Sequence, residues 1–332
     1  MSPYTAVHKN PQGPGDARPT ALQIVKDNDL EGKLAGRVAV VTGVSSGLGV
    51  ETVRALAVTG LKLFLTARDL AKAKTALAEI WQDGSMELIE MDQKSLESVR
   101  TAAKNILART DVVNILINNA GIMAVPELEL SKDGFESQFA TNHLSHFLLF
   151  QLLKPALLKA TTPNFQSRVV ILSAAAHRIS RIGAADDYSF QKSSYDPWLA
   201  YARSKTANIY MANEIERRYG SAGLHATSIH PGVIATPLSK HVPDDLAAKI
   251  VQELGTSIKS LEQGAATTVL AAVGKEWEGR GGVYLSDCAE AERGEDDGVV
   301  SKGSYVTHTY DAEDEGRLWR DSLKMVALPE QD

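Results

Sequence analysis

Tyr201 and Lys205 stand four residues apart in the stretch Leu199-Ala-Tyr-Ala-Arg-Ser-Lys-Thr-Ala-Asn208. On a helix that spacing puts both side chains on one face, one turn apart. A phenol ordinarily loses its proton near pH ~10, and an ammonium within reach favours the phenolate and lowers that value. The expectation is a proton donor and acceptor usable near neutral pH. Tyr-x-x-x-Lys alone also describes a packed ring beside a solvated ammonium, so its weight comes from the rest of the chain. Gly43-Val-Ser-Ser-Gly-Leu-Gly49 follows the apolar run Arg37–Thr42 and precedes the helical spacing of Glu51–Thr59, which ends at Gly60. A buried strand, a glycine-rich turn and a helix start are the parts of a dinucleotide site. Gly43, Ser45, Ser46, Gly47, Leu48 and Gly49 are the expected phosphate cradle, with the helix N-terminus offering free N–H groups. The next strand, Leu61–Ala67, ends at Arg68, where NAD-preferring folds carry an acidic residue. Arg68, with Lys72 one turn further, suits a 2′-phosphate, so NADP(H) is favoured over NAD(H). Asp92, closing a third strand, is placed to touch the adenine.

The elements that must hold these groups alternate in type. The spacing predicts helices at Ala21–Asn28, Leu70–Trp81, Leu96–Arg109, Ser131–Lys159 (capped by Ser131), Leu199–Tyr219 and Leu261–Val273. Strands are predicted at Met86–Met91, Asn114–Ile117, Ser167–Ser173, His225–His230 and Gly282–Leu285. Such alternation implies an α/β fold with one doubly wound parallel sheet over residues 36–286. Residues 1–35 form an N-terminal arm, loose over the proline- and glycine-rich first 20. Residues 287–332 form an acidic C-terminal extension; Asp287–Asp297 holds six acidic residues against one arginine and is expected to be a surface tail or loop. A short helix at Glu313–Met325 closes the chain.

The chain has 332 residues and a net charge of −6 without a basic block, so nothing points to nucleic acid. Its one cysteine, Cys288, excludes an internal disulfide and fits a reducing compartment. No apolar run approaches the ~20 residues of a membrane span, and no secretory pattern opens the chain. A soluble, cytoplasmic protein with no membrane partner is the expectation. His143 and His146 share a helix face but have no third ligand at metal-type spacing, so packing or hydrogen bonding is expected there and no metal site.

Together, Thr42-Gly-Val-Ser-Ser-Gly-Leu-Gly49, Asn118-Asn-Ala-Gly121, Tyr201-x-x-x-Lys205 and His230-Pro-Gly232 resemble the short-chain dehydrogenase/reductase family in order and strand context. Asn142-His-Leu-Ser-His-Phe147, Ala176-His-Arg178 and Ser204-Lys-Thr-Ala-Asn208 look like its retinol-dehydrogenase-like subgroup, which includes the WW-domain-containing oxidoreductases. The resemblance implies a Rossmann fold and hydride transfer with a nicotinamide cofactor. Tyr201 would be the acid for carbonyl reduction or the base for alcohol oxidation. Lys205 would hold the nicotinamide ribose and lower the Tyr201 pKa, and Asn142 would fix a water feeding protons to Lys205. Asn119, Ala120 and Gly121 would back the adenosine ribose; Pro231, Gly232, Val233 and Thr236 would hold the carboxamide side. The family's usual catalytic serine is the second of a Ser-Ser pair ending the fifth strand. Here the stretch reads Ile171-Leu-Ser-Ala-Ala-Ala-His177-Arg178. Anchoring on Ala176-His-Arg178 puts Ala174 in the serine's place; with the anchor one residue off, Ser173 takes the role. Pairing of two copies through the helices near 131–159 and 199–219 is a further implied possibility.

Two segments remain for a small-molecule substrate. Ile179–Trp198 is a long connection carrying Tyr188, Phe190, Tyr195 and Trp198. Thr236–Ser260 carries Leu238, Val242, Leu246, Ile250, Val251 and Leu254, at the spacing of an amphipathic lid helix. Their content suggests a lipophilic carbonyl or alcohol, as in specialised metabolism; simple packing of the flap is the equal alternative. A dehydratase, epimerase or cyclase on the same scaffold, or a cofactor-sensing binding protein, are the competing functions raised by Ala174.

Overall fold

The computed structural model describes residues 2–183 and 187–330. In chain order the elements begin with α1 (Ala21–Asp27), β1 (Val38–Thr42), α2 (Leu48–Ala57), β2 (Lys62–Ala67), α3 (Leu70–Ala76), β3 (Met86–Glu90), α4 (Leu96–Leu107) and β4 (Ile115–Asn118). A short α5 (Ser137–Phe139) passes through a π-turn at Ala140–Leu144 into α6 (Ser145–Ala160). Then come β5 (Ser167–Leu172), α7 (Pro197–Tyr219), β6 (Leu224–His230), α8 (Asp244–Leu254), α9 (Leu261–Gly264), α10 (Ala266–Val273), β7 (Val283–Ser286), β8 (Ala289–Glu290) and α11 (Ala312–Met325). The eight strands form one sheet in the order β3-β2-β1-β4-β5-β6-β7-β8, parallel except for β8 against β7. The expected doubly wound α/β fold is therefore present.

The near-continuous apolar strands are explained by burial on both faces. Ala39 and Val41 pack with Ile24, Leu56 and Leu270 on the side of α1, α2 and α10. Val40 and Phe64 pack with Ile106, Phe147 and Tyr210 on the side of α4, α6 and α7. Strand order reverses between β1 and β4, and the crevice at their carboxyl ends is where open sheets of this kind bind ligands.

Some expected boundaries move for local reasons. The long helix does not begin at Ser131. That hydroxyl instead accepts from the N–H groups of Asp133 and Phe135 within a turn, at 3.3 and 3.2 Å. The cap is Glu136, whose carboxylate accepts from Gln138 N and Phe139 N at 2.8 and 2.7 Å. α3 likewise stops at Ala76 rather than Trp81.

Both terminal segments are folded onto this body. Arg18 is 4% exposed and donates to the carbonyls of Thr256, Ser257 and Ile258. The acidic segment, expected to be a surface tail or loop, instead begins with the edge strand β8 and then runs on as a pinned loop: buried Arg178 donates to the carbonyls of Glu295, Val299 and Ser304 and to Asp297. Beyond it, α11 is part of the core. Trp319 meets Phe147 edge-on, with centroids 4.9 Å apart, and the Arg218 guanidinium lies 4.8 Å over its ring. Ser322 bonds His143 Nε2 at 2.9 Å, and Glu315 accepts from Asn213 at 2.7 Å. α11 thus covers faces of the two helices named above as a pairing surface.

Candidate active site

α7 begins cleanly because Asp196 caps it, accepting from Leu199 N at 2.7 Å, and Pro197 occupies its first turn. Its face toward the sheet carries Tyr201 and Lys205, each 4% exposed. The Lys205 ammonium lies 5.5 Å from the Tyr201 ring centroid and donates to the carbonyl of Leu172 at 3.1 Å. Asn208, one turn on, donates to the same carbonyl at 2.9 Å. Two side chains of α7 therefore grip the last residue of β5.

Asn142 reaches this pair from the π-turn, a widening often found at functional sites. Its Oδ1 accepts from Ile122 N at 2.9 Å, and its Nδ2 donates to Ile122 O and to Ser204 Oγ at 3.0 and 2.9 Å. A Cβ added at Gly121 would lie 3.2 Å from Asn142 Oδ1 and 3.6 Å from Lys205 Nζ. Gly121, Asn142 and Lys205 thus meet at one point. His146 extends the network toward β1. Burial pushes its pKa down to about 4, so the ring is neutral. Nδ1 donates to Asn142 O at 3.0 Å, which leaves Nε2 to accept from the Thr42 hydroxyl at 2.9 Å. Thr42 Oγ1 in turn accepts from Asn119 N and Ala120 N at 3.0 Å each. Asn119 Nδ2 donates to the carbonyls of Thr42 and Gly43 at 2.8 and 3.1 Å. His146 and His143 serve as hydrogen-bonding and packing residues, as expected.

The electrostatics of Tyr201 differ from expectation. Burial pushes its pKa well above the ordinary phenol value rather than below it. Burial also lowers Lys205, from 10.5 to about 8. Desolvation disfavours the charged form of each group and is the cause acting on both. Both shifts hold Tyr201 toward the neutral phenol.

The glycine turn fits a dinucleotide phosphate. Gly43 has φ +73° and Gly47 has φ +62°, which L side chains rarely adopt. A Cβ at Gly49 would sit 2.2 Å from Gly43 O, and one at Gly43 would sit 2.7 Å from Ala120 Cβ. Gly47 caps α2 without a side-chain bond, which leaves backbone N–H groups for an anion. Ser45, Ser46, Gly47 and Leu48 are half-buried at the strand ends. Across the turn, a Cβ at Gly47 would lie 3.6 Å from Thr236 Cβ, so the Pro231–Thr236 loop faces it. Arg68 and Lys72 are both exposed at the end of β2, and among the described residues neither has a carboxylate partner. Asp69, which sequence reading passed over, caps α3 by accepting from Lys72 N at 2.9 Å. Asp92 is half-buried, with one oxygen on Lys94 N at 3.1 Å and the other on Lys132 Nζ at 3.1 Å.

At the end of β5 the two readings of the serine separate geometrically. Ser173 is 3% exposed, and its hydroxyl donates to Lys205 O at 2.8 Å. Ala174 is half-buried with extended backbone, φ −162°. Adjacent side chains of an extended stretch point to opposite sides.

The two substrate segments behave differently. Tyr188 stacks on Phe139, centroids 5.1 Å apart, and donates to Asp321 at 2.8 Å. Tyr195 donates to Val125 O at 2.8 Å and packs edge-on against Phe190. These rings of the 179–198 connection pack the flap; Ala184, Ala185 and Asp186 within it lie outside the described residues. The expected lid helix is α8, none of whose residues is fully buried, with Val251 56% exposed. Leu128 and Leu130, 42% and 55% exposed, flank Glu129, which is electrostatically in reach of His241 and Lys240 at the start of the lid.

With this geometry in view, the chain belongs to the short-chain dehydrogenase/reductase family: the family described as short chain dehydrogenase matches residues 37–247. The chain is 51% identical over 333 residues to the short-chain dehydrogenase/reductase prx1 of Penicillium roqueforti, a match covering 98% of this chain and 96% of that one. It is 35% identical over 282 residues to the WW domain-containing oxidoreductase of Homo sapiens, across 82% of this chain and 66% of the relative. Among solved structures it resembles an uncharacterized protein from Mycobacterium paratuberculosis at 33% identity, with a TM-score of 0.68 over 89% of this chain and 95% of that one. Members of the family are oxidoreductases that bind a nicotinamide cofactor. Among the described residues no helix is long and apolar enough to cross a membrane.

Proposed function

We propose that this protein is an NADP(H)-dependent oxidoreductase acting on a lipophilic small-molecule carbonyl or alcohol, with Tyr201 as the acid/base. The observation that carries the reading is the buried Tyr201–Lys205 pair meeting Asn142 and Gly121 at the carboxyl ends of the strands. The residues fit the cofactor: the bare glycine turn and the uncapped N-terminus of α2 would hold its phosphates. Asn119 and Ala120, which bond or abut the Gly43 turn, would back its adenosine ribose and Asp92 the adenine, whereas Gly121, beside Lys205 Nζ, would face the nicotinamide ribose instead of the adenosine ribose expected for it. Pro231, Gly232, Val233 and Thr236 would hold its nicotinamide end. When bound, the nicotinamide supplies or accepts the hydride.

Arg68 and Lys72 favour NADP(H), because both cations are exposed where the 2′-position would lie and, among the described residues, neither is paired with a carboxylate. Asp69, the next residue in the chain, caps α3 through Oδ1. With its pKa raised by burial, the Tyr201 phenol would keep its proton at neutral pH and could deliver it to a carbonyl oxygen. Lys205 stays mostly protonated below pH 8 and would carry the ribose contact. Asn142 ties the loop after β4, at Ile122, to Ser204 within α7 and would orient the water that reprotonates the pair. Ala174 takes the place of the family's serine, while Ser173 is a structural tie. Exposed Leu128 and Leu130 beside the apolar lid support a lipophilic substrate.

The test is NADPH oxidation against a panel of apolar ketones. Turnover that Tyr201→Phe abolishes supports the reading; consumption of NADPH that is indifferent to Tyr201 contradicts it. A second reading, a non-redox enzyme on this scaffold, is favoured by the alanine at 174. Product formed without net NADPH oxidation would select it.

A further inference from the structure

The family match spans residues 37–247. Beneath the Pro231–Thr236 loop, however, lie residues from outside that span. Lys259 is 4% exposed. Its backbone N–H donates to Val233 O at 3.0 Å, and its ammonium donates to Pro231 O at 3.3 Å. The methylene stem lies flat on Gly232, which has φ +99°; a Cβ there would fall 2.8 Å from Lys259 Cδ and 3.1 Å from its Nζ. Lys259 therefore touches three consecutive residues of the loop and joins the next, Ile234, in an isolated parallel β-bridge outside the main sheet.

The ammonium is held from the far side by Asp287 Oδ1 at 2.7 Å. Asp287 and Cys288 adopt φ +53° and +56°. That left-handed pair is costly for L-residues and is sustained by its surroundings: Cys288 is buried and its N–H donates to Thr267 Oγ1 at 3.1 Å. The N-terminal arm fixes the other flank. Arg18 donates to the carbonyls of Gly13, Thr256, Ser257 and Ile258, immediately before Lys259, and to Asp16. Gln263 accepts from Gly15 N and Ser260 N, and donates to Asp16 O and Arg18 O. His8 Nε2 lies 3.9 Å from Asp287 Oδ1. Burying a lysine costs free energy unless its ammonium is paired and bonded, and among the described residues the partners of this one are Pro231 O in the loop and the Asp287 carboxylate.

We propose that Lys259, paired with Asp287 and anchored by the N-terminal arm through Arg18, is a positioning residue that sets the Pro231–Thr236 loop against the nicotinamide end of the cofactor. The inference rests on the cofactor reading above. It gives the arm a function: the base of the lid and the loop it carries are registered by a segment some 240 residues earlier in the chain.

The experiment compares two ligands by fluorescence or calorimetry. NADPH spans both ends of the site; 2′,5′-ADP occupies only the adenosine end. Lys259→Met is expected to weaken NADPH about tenfold, equivalent to about 1.4 kcal/mol, while leaving 2′,5′-ADP within about twofold. Asp287→Asn, whose side chain is 46% exposed and tolerant of change, should weaken NADPH in the same direction and serves if Lys259→Met does not fold. Unchanged NADPH affinity in the folded variants, or parallel losses for both ligands as expected of a merely structural residue, would overturn the proposal. Failure of the unmodified protein to bind either ligand would instead overturn the cofactor reading, and this inference with it.

Discussion

The hydroxyl of Ser173 donates to the carbonyl oxygen of Lys205 at 2.8 Å, tying the end of β5 to the helix that bears the proposed acid/base. A hydroxyl spent in this way, on a residue 3% exposed, is not free to meet a substrate oxygen. Ala174→Ser should place a donor at the half-buried neighbouring position and raise turnover by about a hundredfold, the lower end of what one oxygen-stabilising donor is worth. Ser173→Ala should instead lower stability by about 1–2 kcal/mol, with a smaller effect on rate. Steady-state kinetics and thermal melts of the two variants check this. A rate that collapses in folded Ser173→Ala and does not respond to Ala174→Ser would reverse the assignment.

Lys205 links stability to pH. Its folded pKa, about 8, lies below the ordinary 10.5, so between those values the unfolded chain binds more protons. Stability contributed through this group therefore rises with pH across that window. Below pH 8 the full desolvation cost applies, about 3 kcal/mol at 1.4 kcal/mol per tenfold. Lys205→Met should abolish turnover yet be more stable than the unmodified protein at pH 7, by at most that amount. The advantage should fade toward pH 10.5 in denaturant titrations; a pH-independent difference would contradict the account.

Exposed cations at the end of β2 set the expected cofactor preference. Arg68→Ala should weaken NADPH by about ten- to a hundredfold, the range for a charge-assisted bond to phosphate, and leave NADH nearly unchanged. Equal losses for both cofactors would remove Arg68 from the 2′-phosphate.

α11 closes over α6 and α7. Trp319→Ala should cost about 3–5 kcal/mol, as for other buried aromatics, measured by denaturant melts. Sedimentation of the full chain should show no dimer built on the α6/α7 face. A dimer whose cross-links join those helices would require α11 to leave its seat.

Much of this was legible in the residues. The strands were, because Val38–Thr42 and its counterparts are apolar on both faces, and burial on both sides demands that. The pairing of Tyr201 with Lys205 followed from their helical spacing, and Asn142 beside Lys205 was implied by the family resemblance; the approach of Gly121 to both was not read from the sequence, which set it at the adenosine ribose. Other features depend on where a group ends up. Ser131 bears a capping hydroxyl, but it closes a turn, and the cap falls to Glu136. The spacing of Tyr201 and Lys205 suggests attraction between their charges, yet burial raises the phenol and lowers the ammonium. The acidic run after Asp287 hid the apolar stripe Leu318, Trp319, Leu323 and Val326, which packs into the core. Lys259 belongs to no motif; only the backbone it touches marks it.

The most direct test replaces Tyr201 with phenylalanine and measures NADPH binding and carbonyl reduction on the same preparation. The account predicts NADPH affinity within about twofold of the unmodified protein and a rate loss of about a hundred- to ten-thousandfold, the range for a positioned general acid. Undiminished reduction by the folded variant would contradict it.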